Sequence, residues 1–126
     1  MKRKNGFTLL ELLVVIGIIG ILLSLITVSF TSAQKQGRDA RRKQDLAAIQ
    51  NAMEQYYSQN SFTYPACNCT DGVAGCCNPI ASYFSNNTIP VDPLGTSHYV
   101  YTSSATEYSI SATLEEGSIV TITNLQ

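Results

Sequence analysis

The feature that most constrains this chain is a long apolar run near its N-terminus, introduced by a single carboxylate. No residue from Leu12 to Gln34 is charged, whereas Glu11 directly precedes this stretch, and a basic triplet occupies positions 2–4. A charged side chain in hydrocarbon costs several kcal/mol, so such a residue is usually paired and functional. The run is therefore expected to cross a membrane, with a specific role for Glu11.

Two ordinary kinds of segment compete for this run. A cleavable secretory signal peptide has an apolar core of about 7–15 residues followed by small residues at its cleavage site. Here the run is longer, and Ala33 is the first alanine of the chain. A permanent single-pass anchor requires about 20 apolar residues and fits the length. It leaves Glu11 unexplained.

The residues around Glu11 resemble a third kind of segment. The stretch Gly6-Phe7-Thr8-Leu9-Leu10-Glu11, followed by Leu12-Leu13-Val14-Val15-Ile16, closely resembles the class III signal of type IV pilins and type II secretion pseudopilins. In that family a prepilin peptidase cuts after the glycine and methylates the new N-terminal residue. The resemblance implies cleavage between Gly6 and Phe7, N-methylation of Phe7, and retention of the apolar helix.

The resemblance also gives Glu11 a role in assembly. A membrane helix that packs among identical copies needs a partner for its new amine, and a carboxylate on a neighbouring copy supplies one. Such an ion pair adds little net stability but penalises misregister. We therefore expect Glu11 to set the axial step of assembly. The alternative is that Glu11, about 6 Å along the helix from Phe7, only reaches the lipid headgroups.

Charge is strongly partitioned along the chain. Residues 35–43 carry five basic side chains against Asp39, and after Lys43 there is no lysine or arginine. Because basic residues flank the span on both sides, charge alone leaves its orientation ambiguous. The basic run is interpreted as a headgroup contact, a partner for the acidic domain of a neighbouring copy, or a solvated helix face. It contains no aromatic residue, so direct nucleic-acid binding is not predicted.

The helical pattern continues beyond the span. Leu46, Ile49, Met53 and Tyr56 form an apolar stripe at helical spacing, and no proline precedes Pro65. The sequence predicts a pilin-like α+β fold, in which one long helix from about Phe7 to Gln59 packs through its second half on a small antiparallel sheet.

The sheet is predicted from alternation near the C-terminus. Strands are expected over residues 99–102, 107–114 and 118–123, after a turn at Asp92-Pro93-Leu94-Gly95. The candidates for the face covering the helix are Val100, Tyr108, Ile110, Ala112, Leu114, Ile119 and Val120, and alternation leaves the inward residues of the last strand ambiguous. The chain is thus divided into a leader (1–6), a transmembrane assembly helix (7–34), an amphipathic half-helix (35–60), an irregular cysteine-containing loop (61–96) and a β-meander (97–126). Residues 35–126 would form one globular domain.

All four cysteines, Cys67, Cys69, Cys76 and Cys77, lie in the predicted loop. Small rings strain disulfide geometry, so the expected pairs cross the loop: 67 with 76 and 69 with 77, or 67 with 77 and 69 with 76. Sequence does not decide between them. A four-thiolate metal site and free thiols are the alternatives.

No enzyme is predicted, because the sole histidine, His98, has no partner arrangement typical of catalysis. No cofactor is predicted either. Major pseudopilins use a C-terminal acidic loop to bind calcium, and Asp92, Glu115 and Glu116 are the only carboxylates in the corresponding region. The later aspartate-rich segment of that family is missing, so calcium remains only an alternative.

The resemblance implies a structural subunit of a type IV pilus-like filament, processed after Gly6 and assembled through its N-terminal helix. The alternatives are a major pseudopilin of type II secretion and a membrane-anchored extracellular binding module that does not polymerise. The implied partners are further copies in a helical filament, a prepilin peptidase, the pilus or secretion assembly machinery, and the membrane. The C-terminal domain would lie outside the cytoplasmic membrane, and later in a cell-surface or periplasm-spanning filament.

Overall fold

The computed structural model describes residues 6–67, 73–95 and 99–126, except for the side chains at positions 27, 28, 75 and 76. Its elements are helix α1 (Leu9–Gln59), the short helix α2 (Val73–Cys76), a 3-10 helix (Asn78–Tyr83) and strands β1 (Val100–Ser103), β2 (Tyr108–Thr113) and β3 (Ile119–Thr123). The predicted α+β fold is confirmed. Two compact units divide the chain, one ending at Lys35 and one running from Gln36 to Gln126. Helix α1 belongs to both.

The N-terminal unit is the apolar half of α1. An 18-residue window of this helix has a mean hydropathy of 2.9, and none of that window is buried. Fully exposed aliphatic side chains are unfavourable in water at about 25 cal/mol per Å² of apolar surface. By length and composition, the helix is able to cross a membrane.

Within the second unit, α1 turns its apolar stripe to the core. Leu46, Ile49 and Met53 are completely buried, and Tyr56 packs half-buried against the same cluster. Their spacing of three and four residues puts them on one helix face. The predicted stripe is confirmed.

The three strands form one antiparallel sheet in the order β1-β2-β3. Ile110, at the centre, lies opposite Tyr101 of β1 and Ile122 of β3. Alternate residues of β2, namely Tyr108, Ile110 and Ala112, are buried. The predicted meander is confirmed in both its strand order and its inward-facing positions on β2.

The prediction for β1 was wrong at Val100, and on β3 the structure decides the ambiguity between Ile119 and Val120 in favour of Val120, which packs half-buried against the core. Val100 is 37% exposed and Ile119 is 67% exposed, whereas Tyr99 and Tyr101 are buried. The reason is that the tyrosine hydroxyls find acceptors inside the domain. Tyr99 Oη donates to Asp45 Oδ2 at 2.7 Å, and Tyr101 Oη donates to the Pro65 carbonyl at 3.2 Å. A buried tyrosine needs such a partner, and Val100 on the same strand must then face outward.

A second carboxylate of α1 receives two tyrosines. Tyr64 Oη and Tyr108 Oη both donate to Glu54, at 3.1 Å. Burial raises the pKa of the Tyr64, Tyr99 and Tyr108 hydroxyls, and the adjoining carboxylates of Glu54 and Asp45 raise it further. The tyrosines therefore remain protonated donors, and hydrogen bonds from Tyr108 of β2, from Tyr99 just before β1 and from Tyr64 after α1 connect these segments to the helix.

The segment predicted to be an irregular loop contains α2 and the 3-10 helix. It also contains a disulfide between Cys67 and Cys77. This bond excludes the pairing of Cys67 with Cys76, and it removes two thiols from any four-thiolate metal site. Cys69 and the side chain of Cys76 lie outside the described residues, so their pairing stays a prediction.

Replacing Ile110 by alanine should leave a cavity at the centre of the core. We expect the free energy of unfolding to fall by about 2–5 kcal/mol, the usual range for truncating a fully buried isoleucine. Ile119→Ala, on the exposed side of β3, is the matched control and should change it by less than about 0.5 kcal/mol. Denaturant unfolding of the full chain in detergent, followed by tyrosine fluorescence, measures both. Equal effects of the two variants would contradict the assigned core.

Candidate assembly site at the N-terminus

The start of α1 is closed by a reciprocal pair of side chains. Thr8 Oγ1 accepts a hydrogen bond from the Glu11 backbone N–H at 3.2 Å, and Glu11 Oε2 accepts from the Thr8 backbone N–H at 2.8 Å. Thr8 Oγ1 also donates to Glu11 Oε2 at 2.9 Å. This arrangement is a capping box, which satisfies helix N–H groups that have no partner inside the helix. Glu11 thus has a local structural role besides any role in assembly.

The predicted cleavage site lies immediately before this cap. The Gly6–Phe7 bond precedes the first helical residue, Leu9, and apart from the chain neighbours of Gly6 no described atom lies within 4 Å of the position that a side chain on Gly6 would occupy. Phe7 is 87% exposed. On its described, C-terminal side the bond is therefore unobstructed, while the cap holds the downstream chain helical. Its cleavage and methylation stay predictions, and the basic triplet of the leader lies outside the described residues.

The basic run that follows the apolar half of α1 is divided between two environments. Arg38 and Arg42 form ion pairs inside the second unit. Arg41 and Lys43 are exposed and form no ion pair within the described part of that unit. Only part of the run is therefore the solvated helix face considered from sequence.

Arg42 is the buried centre of a charged cluster. Its Nε donates to Asp92 Oδ2 at 2.6 Å and its Nη2 donates to Asp92 Oδ1 at 3.3 Å, while Nη1 donates to Asp39 Oδ1 at 2.9 Å. Only 1% of Arg42 and 6% of Asp92 is exposed. Burial alone would raise the pKa of Asp92, but hydrogen bonds from Arg42 and from the Leu94 backbone N–H lower it below its ordinary value. The two-pronged contact fixes both the guanidinium and the carboxylate.

Glu115, in the turn between β2 and β3, extends the cluster. Its Oε1 accepts from Arg38 Nε at 2.8 Å and from Arg42 Nη1 at 3.3 Å, and its backbone N–H donates to Asp39. The hydrogen bond from Arg38 is the main cause that lowers the pKa of Glu115. The cluster thus joins α1 to the loop after residue 91 and to the β2–β3 turn.

This pairing bears on the calcium alternative. Of the three carboxylates named for it, Asp92 and Glu115 are bound by arginine, and Glu116 is exposed. Within the residues that the structure describes, no group of three metal-binding side chains has suitable geometry. Arg38 and Arg42 thus provide the positive charge beside Asp92 and Glu115.

Some of these features carried a signal in the sequence and others did not. The Thr8-x-x-Glu11 spacing at the start of an apolar helix is the signature of a capping box. The Arg42–Asp92 pair joins residues 50 positions apart, and no local pattern marks it. The turn at Asp92–Gly95 was predicted, and the Gly95 N–H does donate to the Asp92 carbonyl at 3.0 Å. His98 lies outside the described residues.

Residues 1–27, which contain the Gly6–Phe7 bond and the cap, match the family described as prokaryotic N-terminal methylation motif. The chain carries this methylation motif. It covers Gly6, Phe7 and Glu11 and most of the apolar half of α1. The resemblance recognised from the residues around Glu11 is confirmed.

Relatives of two kinds share more of the chain. It is 38% identical over 64 residues to "Type II secretion system core protein G" of Aeromonas hydrophila, covering 51% of this chain and 44% of that protein. It is equally identical over 65 residues to the protein of the same name from Klebsiella pneumoniae, covering 52% and 46%. It is 35% identical over 57 residues to "Type IV major pilin protein PilA" of Myxococcus xanthus, covering 45% and 26%.

The similarity is therefore partial. This chain spans less than half the length of these relatives. No solved structure matches it.

The buried cluster predicts acid sensitivity of the folded second unit. Because folding lowers the pKa of Asp92 and Glu115, the native state binds fewer protons than the unfolded state. The stability they contribute is present near neutral pH and is lost as the pH falls below about 4. Asp92→Asn should lower stability at pH 7 and flatten its decline toward pH 2.5. Glu116→Gln should keep the wild-type profile. Unfolding midpoints measured across this range test both, and an unchanged slope in the Asp92 variant would contradict the assignment.

Proposed function

We propose that this chain is a structural subunit of a type IV pilus-like filament, with no enzymatic activity of its own. The observation that carries the proposal is the methylation motif, which matches residues 1–27. The same residues include the exposed Phe7 after Gly6 and most of a long apolar helix, whose most apolar 18 residues are not buried. Such a helix needs lipid or neighbouring copies around it. A processed subunit has both in succession, first in the membrane and then in a filament.

The chemistry of the second unit supports an orientation of the chain in the membrane. Disulfides such as Cys67–Cys77 form and persist in oxidising compartments. Residues 36–126 would accordingly lie outside the cytoplasmic membrane, with the leader on the cytoplasmic side where a prepilin peptidase would act. The pilus or secretion assembly machinery would then extract the subunit from the bilayer.

Two kinds of filament remain candidates. Similarity to core protein G of type II secretion favours a pseudopilus, and similarity to the pilin PilA favours a surface pilus. Asp92 and Glu115, two of the three carboxylates considered for calcium, are paired with Arg42 and Arg38 instead, which gives less support to the pseudopilus. The pilus reading is therefore kept first, and the pseudopilus second.

Processing is the direct test. Co-expression with a prepilin peptidase should give a product whose N-terminal residue is N-methylated Phe7, as read by N-terminal sequencing and mass spectrometry. A variant with Gly6 replaced by valine should stay uncut, because a side chain at this position would obstruct the peptidase. An uncut wild-type chain that stays in the membrane would instead support the binding module that does not polymerise.

Removing the charge of Glu11 should impair filament assembly more than removing the hydroxyl half of the helix cap. Thr8→Val removes the hydroxyl half of the capping box and keeps the carboxylate, whereas Glu11→Gln keeps a similar shape and removes the charge. We expect both variants to insert into the membrane and be cleaved. Only Glu11→Gln should greatly reduce the amount of subunit in the sheared filament fraction, as measured by immunoblot. The reason is that a neutral amide cannot form an ion pair with the charged amine of a neighbouring copy.

The control in this comparison is Thr8→Val. Equal loss of filaments in the two variants would assign Glu11 to capping only. Normal filaments from Glu11→Gln would remove the proposed intermolecular pair altogether.

A further inference from the structure

The second unit leaves few exposed charges without an ion pair. In its described part these are Arg41 and Lys43 on α1, Glu107 in the turn before β2, and Glu116 in the turn before β3. The remaining described acids are already engaged, either by arginines or by tyrosine hydroxyls. Among the described residues of this unit, these four side chains are the charges open to pairing between copies.

Arg41 stands at the wall of an open groove. The groove has a volume of about 370 Å³ and lies between α1 and the segment 84–91. Its apolar lining includes Phe84, Pro90 and Val91, and Val91 is 60% exposed. Asp45 also lines it, but its carboxylate accepts a hydrogen bond from Tyr99, the residue before β1, and Asp45 is half-buried. The groove thus offers apolar surface beside one exposed cation.

The β2–β3 turn presents the complementary combination. Glu116 is exposed, and Ile119, three residues later, is 67% exposed. The turn is held by hydrogen bonds from Gly117 N–H to the Leu114 carbonyl and from Leu114 N–H to the Ser118 carbonyl. Gly117 has φ +82°, which glycine adopts without strain. The tip is therefore pre-organised for binding.

The neighbouring Glu115 adds to this rigidity. Its carboxylate is bound by Arg38 and Arg42, so the base of the turn is anchored to α1 while Glu116 stays free. Glu107 is a poorer candidate. It follows Ser104, Ala105 and Thr106, and its backbone N–H is bound to Ser104, so no large apolar side chain accompanies it in that turn.

We propose that the groove of one copy receives the β2–β3 tip of a second copy, with Glu116 paired to Arg41 and Ile119 packed against Val91. The inference rests on the proposed filament function and names a contact within it. The two surfaces differ, so the contact is head-to-tail, and a head-to-tail contact that does not close generates an open helical array. An exposed ion pair adds little affinity, but opposite charges at matching positions select register and disfavour wrong partners.

Charge exchange tests the contact in the full chain, expressed with a prepilin peptidase and an assembly system. Arg41→Glu and Glu116→Arg should each reduce the sheared filament fraction about fivefold or more, since each places like charges opposite one another. The double variant should return to within about twofold of wild type, because the pair is restored in reverse. Lys43→Glu and Glu107→Arg are matched controls and should assemble normally. No recovery in the double variant, with normal wild-type filaments, would overturn the contact and leave the filament function standing.

A crosslinking arm separates the two proposals. Differently tagged chains carrying Arg41→Cys and Glu116→Cys should give a mixed disulfide dimer in membranes, whereas the pair Lys43→Cys and Glu107→Cys should not. A specific dimer without wild-type filaments would support the contact and overturn the filament function. Absence of both the filaments and the dimer would overturn both.

Discussion

The second unit depends on one buried charge, the Arg42 guanidinium. It connects α1 with the loop after residue 91 and with the β2–β3 turn, which are far apart in the chain. A buried ion pair contributes little net stability compared with apolar packing, but removing one partner costs about 3–5 kcal/mol because the other charge stays uncompensated. The cluster therefore acts mainly as a constraint on geometry. It permits few arrangements of the helix, loop and turn, and the helix and the turn also contribute residues to the proposed contact between copies.

How much the sequence foretold depends on the range of the interaction. The Leu46, Ile49 and Met53 stripe and the alternation of β2 are local patterns, and both appear in the structure as predicted. The β1 strand was harder, because Tyr99, Val100 and Tyr101 are all able to pack in a core. Its inward face was decided by acceptors on Asp45 and Pro65, which only the folded chain brings near. The Arg42 cluster is likewise a product of tertiary structure.

At the N-terminus, by contrast, the local sequence indicates the helix cap, whereas the proposed pairing of Glu11 with another copy is not visible in a single chain. The Thr8–Glu11 cap is complete within a single chain. Its carboxylate oxygen Oε2 already accepts two hydrogen bonds, so a second partner must share it or use the other oxygen. A carboxylate has capacity for about four hydrogen bonds. Local capping and intermolecular pairing are thus chemically compatible, and one residue is able to serve both.

The buried disulfide imposes an order on the maturation of this chain. Cys77 is completely buried and belongs to the same cluster as Ile80 and Tyr101. Once that cluster has closed, an oxidant has no direct access to the Cys77 sulfur, and the bond would have to form through the half-buried Cys67 by way of a mixed disulfide. Thiols stay reduced in a cytoplasmic environment. Under the proposed topology, the Cys67–Cys77 bond would therefore form only after translocation, so that residues 36–126 would not be locked into their final packing before they cross the membrane.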